Sequence, residues 1–405
     1  MSQTLISLLG IALLVAIAVA LSTNRRAIRP RVVLSAFALQ AAIAVVVLYW
    51  SAGQSAIRGL SAGFTSVIAY GNEGIAFIFG ELFTAQQYPI FAVNVLPVIV
   101  FFAALMAVLY HLGIMQWLVR ILGKGLQAVI GTGPVESLNA AANIFVGQTE
   151  APLVVKPYLG GITRPQLFTV MASGTASVAG TVLAAYAGMG AKIEFLLAAS
   201  FMAAPGGLLM AKLMMPDEGP VAADGARIDN VEIPREKNVF LAAASGAQEG
   251  VRLAVMIGAM LLAFVALIAL FNGVIGGVFA LFGIEGVTLE WILGWVFSPL
   301  MWCLSIPWEE AQVAGSLFGK KLILNEFVAF LDFNTAKELV SERTAAIITF
   351  SLCGFANLSS IAILLGGLGV LIPSQRELIG QFGFRAVIAG SLSNLMSAAL
   401  ASLLI

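Results

Sequence analysis

Asn143, Gln148, Thr149 and Glu150 place two amides, a hydroxyl and a carboxylate within eight positions of a chain that is 60% hydrophobic. Gly147 stands among them and Pro152 just after, so the polar run is also a run that resists a continuous helix. A polar group left unsatisfied in hydrocarbon costs several kcal/mol, so this cluster needs partners or water. An ionisable side chain at membrane depth marks a functional site by default. A second set stands far downstream, with Glu326 followed by Gly354-Phe355-Ala356-Asn357-Leu358-Ser359-Ser360.

The chemistry open to these residues is recognition. Two carboxylates, amides that both donate and accept, and several hydroxyls suit a neutral solute rich in hydrogen-bonding groups. No basic residue lies within the motifs to favour an anion. Phe355 offers a flat apolar face. A nucleoside fits this inventory, with ribose hydroxyls donating to a carboxylate and a base that has both an edge and a face. Catalysis fits poorly. A single His111 excludes a histidine metal site, and Cys303 and Cys353 show no metal-like spacing. An intramembrane hydrolase needs a nucleophile with its base, or a metal set. A channel needs a continuous polar path or ring of charge, whereas here the polar residues cluster.

The elements that position these residues must cross a membrane. Only 10% of the 405 residues are charged, against roughly 25% in soluble domains. Mean hydropathy is +0.99. About 20 apolar residues span the hydrocarbon as a helix. Basic residues balance acidic ones, and no basic patch suggests nucleic acid.

Apolar runs predict spans over about 4–22, 32–50, 90–112, 166–189, 193–213, 252–282, 344–371 and 386–405. Arginines at 25, 26, 29 and 31 follow the first run with none before it. That pattern predicts a retained span with its N-terminus outside, not a cleaved signal. Residues 51–88 read as short interfacial helices, and 113–132 as an amphipathic helix on the inner surface. Residues 214–248 read as a charged inner loop, and Arg376, Glu377 and Arg385 as part of a charged inner turn. On this topology all the basic residues fall inside except Arg58, Lys192, Lys320, Lys321, Lys337 and Arg343.

Residues 134–157 read as a hairpin that dips into the membrane and returns. A single crossing would have to house Glu136, Asn139, Asn143, Gln148, Thr149, Glu150 and Pro152 together. Residues 306–333 read as a second hairpin, entered from outside. Gly174-Thr175-Ala176-Ser177 echoes Gly354-Phe355-Ala356-Asn357 as Gly-x-Ala-polar, each after a hairpin bearing a carboxylate. Small residues there serve close helix packing, or a locally unwound span. Two hairpins of opposite entry, each followed by an interrupted span, form the pattern of an inverted repeat with a midplane site.

The run Gly147-Gln148-Thr149-Glu150-Ala151-Pro152-Leu153, with the segment from Gly354 to Ser360, resembles the concentrative nucleoside transporter family in its short bacterial form. The resemblance spans nearly the whole chain. It implies an all-α polytopic fold of eight transmembrane helices and two re-entrant hairpins. It implies a homotrimer in the lipid of a bacterial inner membrane, with both termini periplasmic. Scaffold segments would be 1–112 and 214–289. A transport domain made of 113–213 and 290–405 would move like an elevator. Gly147, Gln148, Thr149 and Glu150 would meet the nucleobase, with Val182 and Phe355 lining its pocket. Glu326, Asn357 and Ser360 would meet the ribose. Sodium, the coupling ion, would be held by Asn143 and Ser177 side chains and the carbonyls of Val146 and Val178. Proton coupling is the alternative, since Glu150 can carry a proton. No other cofactor is implied.

Overall fold

A computed structural model describes residues 3–84, 90–219 and 236–405. Among these residues the elements are helical. Two apolar helices open the chain, α1 (Gln3–Ala20) and α2 (Pro30–Leu48), the second started by its own proline. Next comes α3 (Ser51–Phe79), one unbroken helix where short interfacial pieces were expected. No proline interrupts it, and it runs until Gly80 turns left-handed at φ 53°. Its buried residues Gly53, Ile57, Ser61, Gly71 and Ile75 recur at helical spacing and define one packed face. Glu81–Thr84 forms α4.

The third apolar run is a short α5 (Phe91–Asn94) and a longer α6 (Leu96–His111). Gly113 and Gly131, both at positive φ, bracket α7 (Ile114–Ile130), the expected amphipathic helix. The first hairpin follows as α8 (Pro134–Ala142), a turn, and α9 (Ala151–Val154). The interrupted span is α10 (Arg164–Ala176) and α11 (Gly180–Gly188), with extended backbone at Ser177 and Ala179 between them. Then come α12 (Ile193–Met214) and α13 (Val239–Ala280). The latter starts well before the expected residue 252, because Asn238 caps it by accepting from the Leu241 amide at 2.8 Å. The charged loop residues between 220 and 235, including Asp224, Arg227, Asp229, Glu232 and Arg235, lie outside the described residues.

The second half repeats the order. An approach helix α14 (Leu289–Cys303) bends by 117° into α15 (Trp308–Ile323). With α16 (Glu326–Ala336), α15 forms the second hairpin. The second interrupted span is α17 (Glu342–Leu352) and α18 (Ser359–Leu371). The last helix is α19 (Arg376–Leu404), so Arg376, Glu377 and Arg385 sit on its first turns and not in a turn before it.

Burial divides these helices. In the apolar 18-residue stretch of Arg164–Gly188 89% of the residues are buried, and in that of Pro373–Leu404 83%, whereas in those of α1 and α13 only 22% are. The core is therefore α10, α11, α12 and α19 with the two hairpins, and the lipid-like faces belong to the flanking helices. Around it, α1 leans on α19, α2 on α12 and α19, and α6 pairs with α13. Polar stitches fasten the first two to the core. Ser7 shares a 2.8 Å hydrogen bond with Ser402, and Gln40 Nε2 donates to Ser397 Oγ at 2.9 Å.

The α6–α13 contact is close because Gly246 and Gly250 leave room for backbone. A Cβ on Gly250 would lie 2.6 Å from Val100 Cα. Gly250→Val is therefore expected to lower stability by about 1–3 kcal/mol, as overpacking does. The thermal midpoint of the detergent-solubilised protein checks this, against Gly273→Val, where nothing crowds the added Cβ.

Candidate functional site

The two hairpin tips and the two breaks meet in the core. Glycines permit the approach. A Cβ on Gly174 would stand 3.0 Å from Gln148 Cβ, and one on Gly180 2.8 Å from the Phe145 carbonyl oxygen. That carbonyl accepts from the Gly180 amide at 2.9 Å, fixing the first tip to the first break. The Leu358 amide donates to the Leu322 carbonyl at 3.0 Å and does the same for the second tip and break. The breaks themselves are joined, since the Phe355 amide donates to the Ser177 carbonyl at 3.0 Å. Breaking a span frees backbone groups at depth, and here they bond across the repeat.

A buried polar chain links the hairpins. Gln148 Nε2 donates to Ser360 Oγ at 3.0 Å, and Ser360 Oγ donates to the Phe355 carbonyl. The Ser360 amide donates to Asn357 Oδ1 at 2.9 Å. Asn357 Nδ2 donates to Glu326 Oε2 at 2.7 Å. Glu326, at the start of α16, is buried, and Tyr186 of α11 donates to its Oε1 at 3.0 Å. The Tyr186 ring stacks on Phe330 with centroids 4.4 Å apart, which holds the phenol in place. Asn325 caps α16 through the Val328 amide at 3.0 Å.

The remaining expected residues surround this chain. Gly147, Gln148 and Val182 are buried, and Thr149 and Phe355 are half-buried. Thr149 packs at Gly367, where a Cβ would meet its Cγ2 at 2.6 Å. Glu150 belongs to the same tip but is exposed, so it does not join the buried chain. Its carboxylate turns toward Gly147.

A second polar cluster sits between the first hairpin and the first break. Asn139 Nδ2 donates to Ser173 Oγ at 2.9 Å, and Asn143 Nδ2 to the same oxygen at 3.3 Å and to the Asn139 carbonyl at 3.0 Å. Ser177 Oγ donates to the Gly174 carbonyl at 3.1 Å. Asn143 Oδ1 is buried and accepts no hydrogen bond. Val146 and Val178 lie beside the bond between Phe145 and Gly180, one on each segment. An unpartnered amide oxygen, a hydroxyl and freed carbonyls are the donor set of a small hard cation. Among the described residues no group of histidine, cysteine and carboxylate ligands suits a transition metal.

Tyr186, Lys321 and Asn394 belong to this centre although nothing in their own neighbourhood singled them out. Lys321, expected among the outer basic residues, is fully buried. It donates to Asn394 Oδ1 at 2.7 Å and the Ser351 carbonyl at 2.8 Å. Asn394 donates onward to the carbonyls of Ala176 at 2.7 Å and Cys353 at 2.9 Å. The available signal was an amide and an ammonium in segments that must lie at membrane depth.

Comparison with known proteins gives one consistent result. Residues 9–82 match the family described as the N-terminus of Na+ dependent nucleoside transporters, and 195–402 match the C-terminus. Residues 92–193 match a nucleoside recognition family named Gate. An uncharacterized transporter of Bacillus subtilis is 52% identical over 98% of each chain. A nucleoside permease of Helicobacter pylori is 46% identical over all of this chain and 98% of the relative. Sodium/nucleoside cotransporter 1 of Mus musculus is 34% identical over 99% of this chain and 64% of its own length. Among solved structures, CNTnw in an inward-facing substrate-bound state superposes with TM-score 0.94 at 51% identity, over 99% of this chain and 98% of that one. A variant of CNTnw in an outward-facing state also superposes with TM-score 0.94, at 50% identity over all of this chain and 98% of that one.

Proposed function

The chain belongs to the Na+-dependent nucleoside transporter family, and from that premise we propose that it imports nucleosides by sodium symport across a bacterial inner membrane. It is a transporter and not an enzyme. The observation that carries the reading is the buried chain from Gln148 through Ser360 and Asn357 to Glu326, which joins the two hairpins at a broken span. A nucleoside enters that chain at its polar atoms. Gln148 Oε1 is buried without a donor and accepts from the base edge, with Gly147, Thr149 and Glu150 beside it. Phe355 and Val182 pack on the base. Glu326, Asn357 and Ser360 hold the ribose hydroxyls.

Sodium binds at Asn143 Oδ1, Ser177 and the carbonyls of Val146 and Val178. It orders the first hairpin against α10 and α11, and the nucleoside then bridges both hairpins. The closed core, residues 113–213 and 290–405, moves past a trimeric scaffold made of 1–112 and 214–289. Both termini face the periplasm. Linkage requires sodium and nucleoside to raise each other's affinity by one factor. Proteoliposomes with an inward sodium gradient should accumulate labelled uridine above the external level. Absence of accumulation, or accumulation driven equally well by protons alone, would overturn sodium symport.

The ion assignment has its own test. Asn143→Ala removes the unpartnered oxygen, whose interaction with a cation is worth about 1.5–3 kcal/mol on the scale of charged hydrogen bonds. The half-saturating sodium concentration for uptake is expected to rise about tenfold or more. An unchanged sodium response would remove Asn143 from the ion site.

A further inference from the structure

Buried charge in the core is almost balanced by design of the contacts. Glu136, Lys212, Lys320, Lys321 and Glu326 are the buried charged side chains among the described residues. Lys212 pairs with Glu136 and Asp217, and Lys320 with Glu290 and Asp332. Lys321 and Glu326 differ. Each spends its close contacts on neutral groups, Lys321 on Ser351 and Asn394, Glu326 on Tyr186 and Asn357. They stand on the two sides of the second hairpin's tip, Lys321 near the end of α15 and Glu326 at the start of α16, as a separated cation and anion within one core.

The surroundings of Lys321 are those of a cation site. Ala176 ends α10, and Ser351 and Cys353 lie at the end of α17. Carbonyls at helix C-termini carry partial negative charge and favour a cation. Lys321 reaches Ser351 directly, and Ala176 and Cys353 through the amide of Asn394. The first half of the chain shows the counterpart. There Asn143, whose Nδ2 donates to Ser173 of α10, keeps a buried Oδ1 with no donor from the protein. One half offers an amide oxygen to an outside cation, and the other has its amide oxygen already taken by an ammonium.

We propose that Lys321 is a built-in counter-cation, standing at the second break where a coupling ion stands at the first, and that it thereby limits how many cations accompany each nucleoside. This rests on the cation-coupled reading above. Without the ammonium, Glu326 is an uncompensated charge in a core that must move through the bilayer, which is costly. Asn394 Oδ1 and the Ser351 carbonyl also lose their donor. The cheapest repair is a second monovalent cation, either sodium on those oxygens or a proton on Glu326. The titratable groups facing the space are Glu326, Tyr186 and Cys353.

The test compares Lys321→Ser, which removes charge and opens space, with Lys321→Arg, which keeps charge. Full-length protein is reconstituted, and sodium and proton fluxes per uridine are measured at fixed membrane potential. Lys321→Arg should keep the parent's ratio, and Lys321→Ser should carry one additional cation per uridine. In detergent without nucleoside, Lys321→Ser should gain a sodium- or acid-dependent rise in thermal midpoint that the parent lacks. The parent's ratio in Lys321→Ser, a changed ratio in Lys321→Arg, or a Lys321→Ser protein unfolded at every sodium concentration and pH would each overturn the proposal. Failure of the parent to use sodium is a separate outcome. It sinks sodium symport, and the same comparison is then decided on proton flux.

Discussion

Glu326→Gln is expected to raise the KM for uridine roughly 10- to 100-fold, the equivalent of the 1.5–3 kcal/mol of a hydrogen bond to a charged group. The loss comes from geometry as well as charge. In the parent, Tyr186 donates to Oε1 and Asn357 to Oε2, and each oxygen keeps an acceptor site for a ribose hydroxyl. A glutamine brings one oxygen and one NH2. The NH2 cannot face the Asn357 Nδ2 donor, so it must face Tyr186, whose hydroxyl then accepts. The single remaining oxygen is shared between Asn357 and the substrate. Uptake of uridine, 2′-deoxyuridine and 3′-deoxyuridine separates this from general damage. The variant should lose least on the analogue lacking the hydroxyl that Glu326 receives. Equal losses on all three would show that Glu326 does not read the ribose.

Lys212→Met is expected to destabilise the protein by about 3–5 kcal/mol, the cost of leaving one partner of a buried ion pair alone. Lys212 is 3% exposed and Glu136 1%. Lys212 Nζ donates to Glu136 Oε1 at 2.5 Å and to Asp217 at 2.8 and 2.9 Å. Glu136 also accepts from the Gly133 amide at 2.9 Å, which starts α8. The ammonium at the end of α12 thus fastens the base of the first hairpin. With methionine in its place, the Glu136 carboxylate is buried without a cation, and the hairpin's first turn loosens. The detergent-solubilised variant should denature at a clearly lower temperature. Lys212→Met with Glu136→Gln should recover most of the loss, because the fully buried carboxylate is then neutral and only the more exposed Asp217 is left without its cation. A stable single variant would show that water reaches Glu136.

Much of the architecture was legible residue by residue. The hairpins were visible because Glu136, Asn139, Asn143, Gln148, Thr149 and Glu150 could not share one plain crossing. Both broken spans were visible at Gly174–Ser177 and Gly354–Asn357. The helix α3 was not, because Arg58 and Glu73 lowered the apolar signal while Gly53, Ile57, Ser61, Gly71 and Ile75 quietly kept its packed face. Lys320 and Lys321 read as outer basic residues because charge counting knows side but not depth. In the structure both are buried, with Lys320 against Glu290 and Asp332 and Lys321 at the crossing of the breaks.

By itself the sequence determined the membrane class, the order of hairpin and interrupted span in each half, and the polar residues at each tip. Those features follow from local rules: hydropathy over one span, breakers within a turn, and the need of each backbone group for a partner. Only the tertiary structure decided that Tyr186 and Asn357 share Glu326, that Gln148 reaches Ser360, and that Lys321 and Asn394 tie the two breaks together. These contacts join residues up to 218 positions apart. A local pattern says that a buried amide needs a partner, but which group meets it depends on how the helices pack.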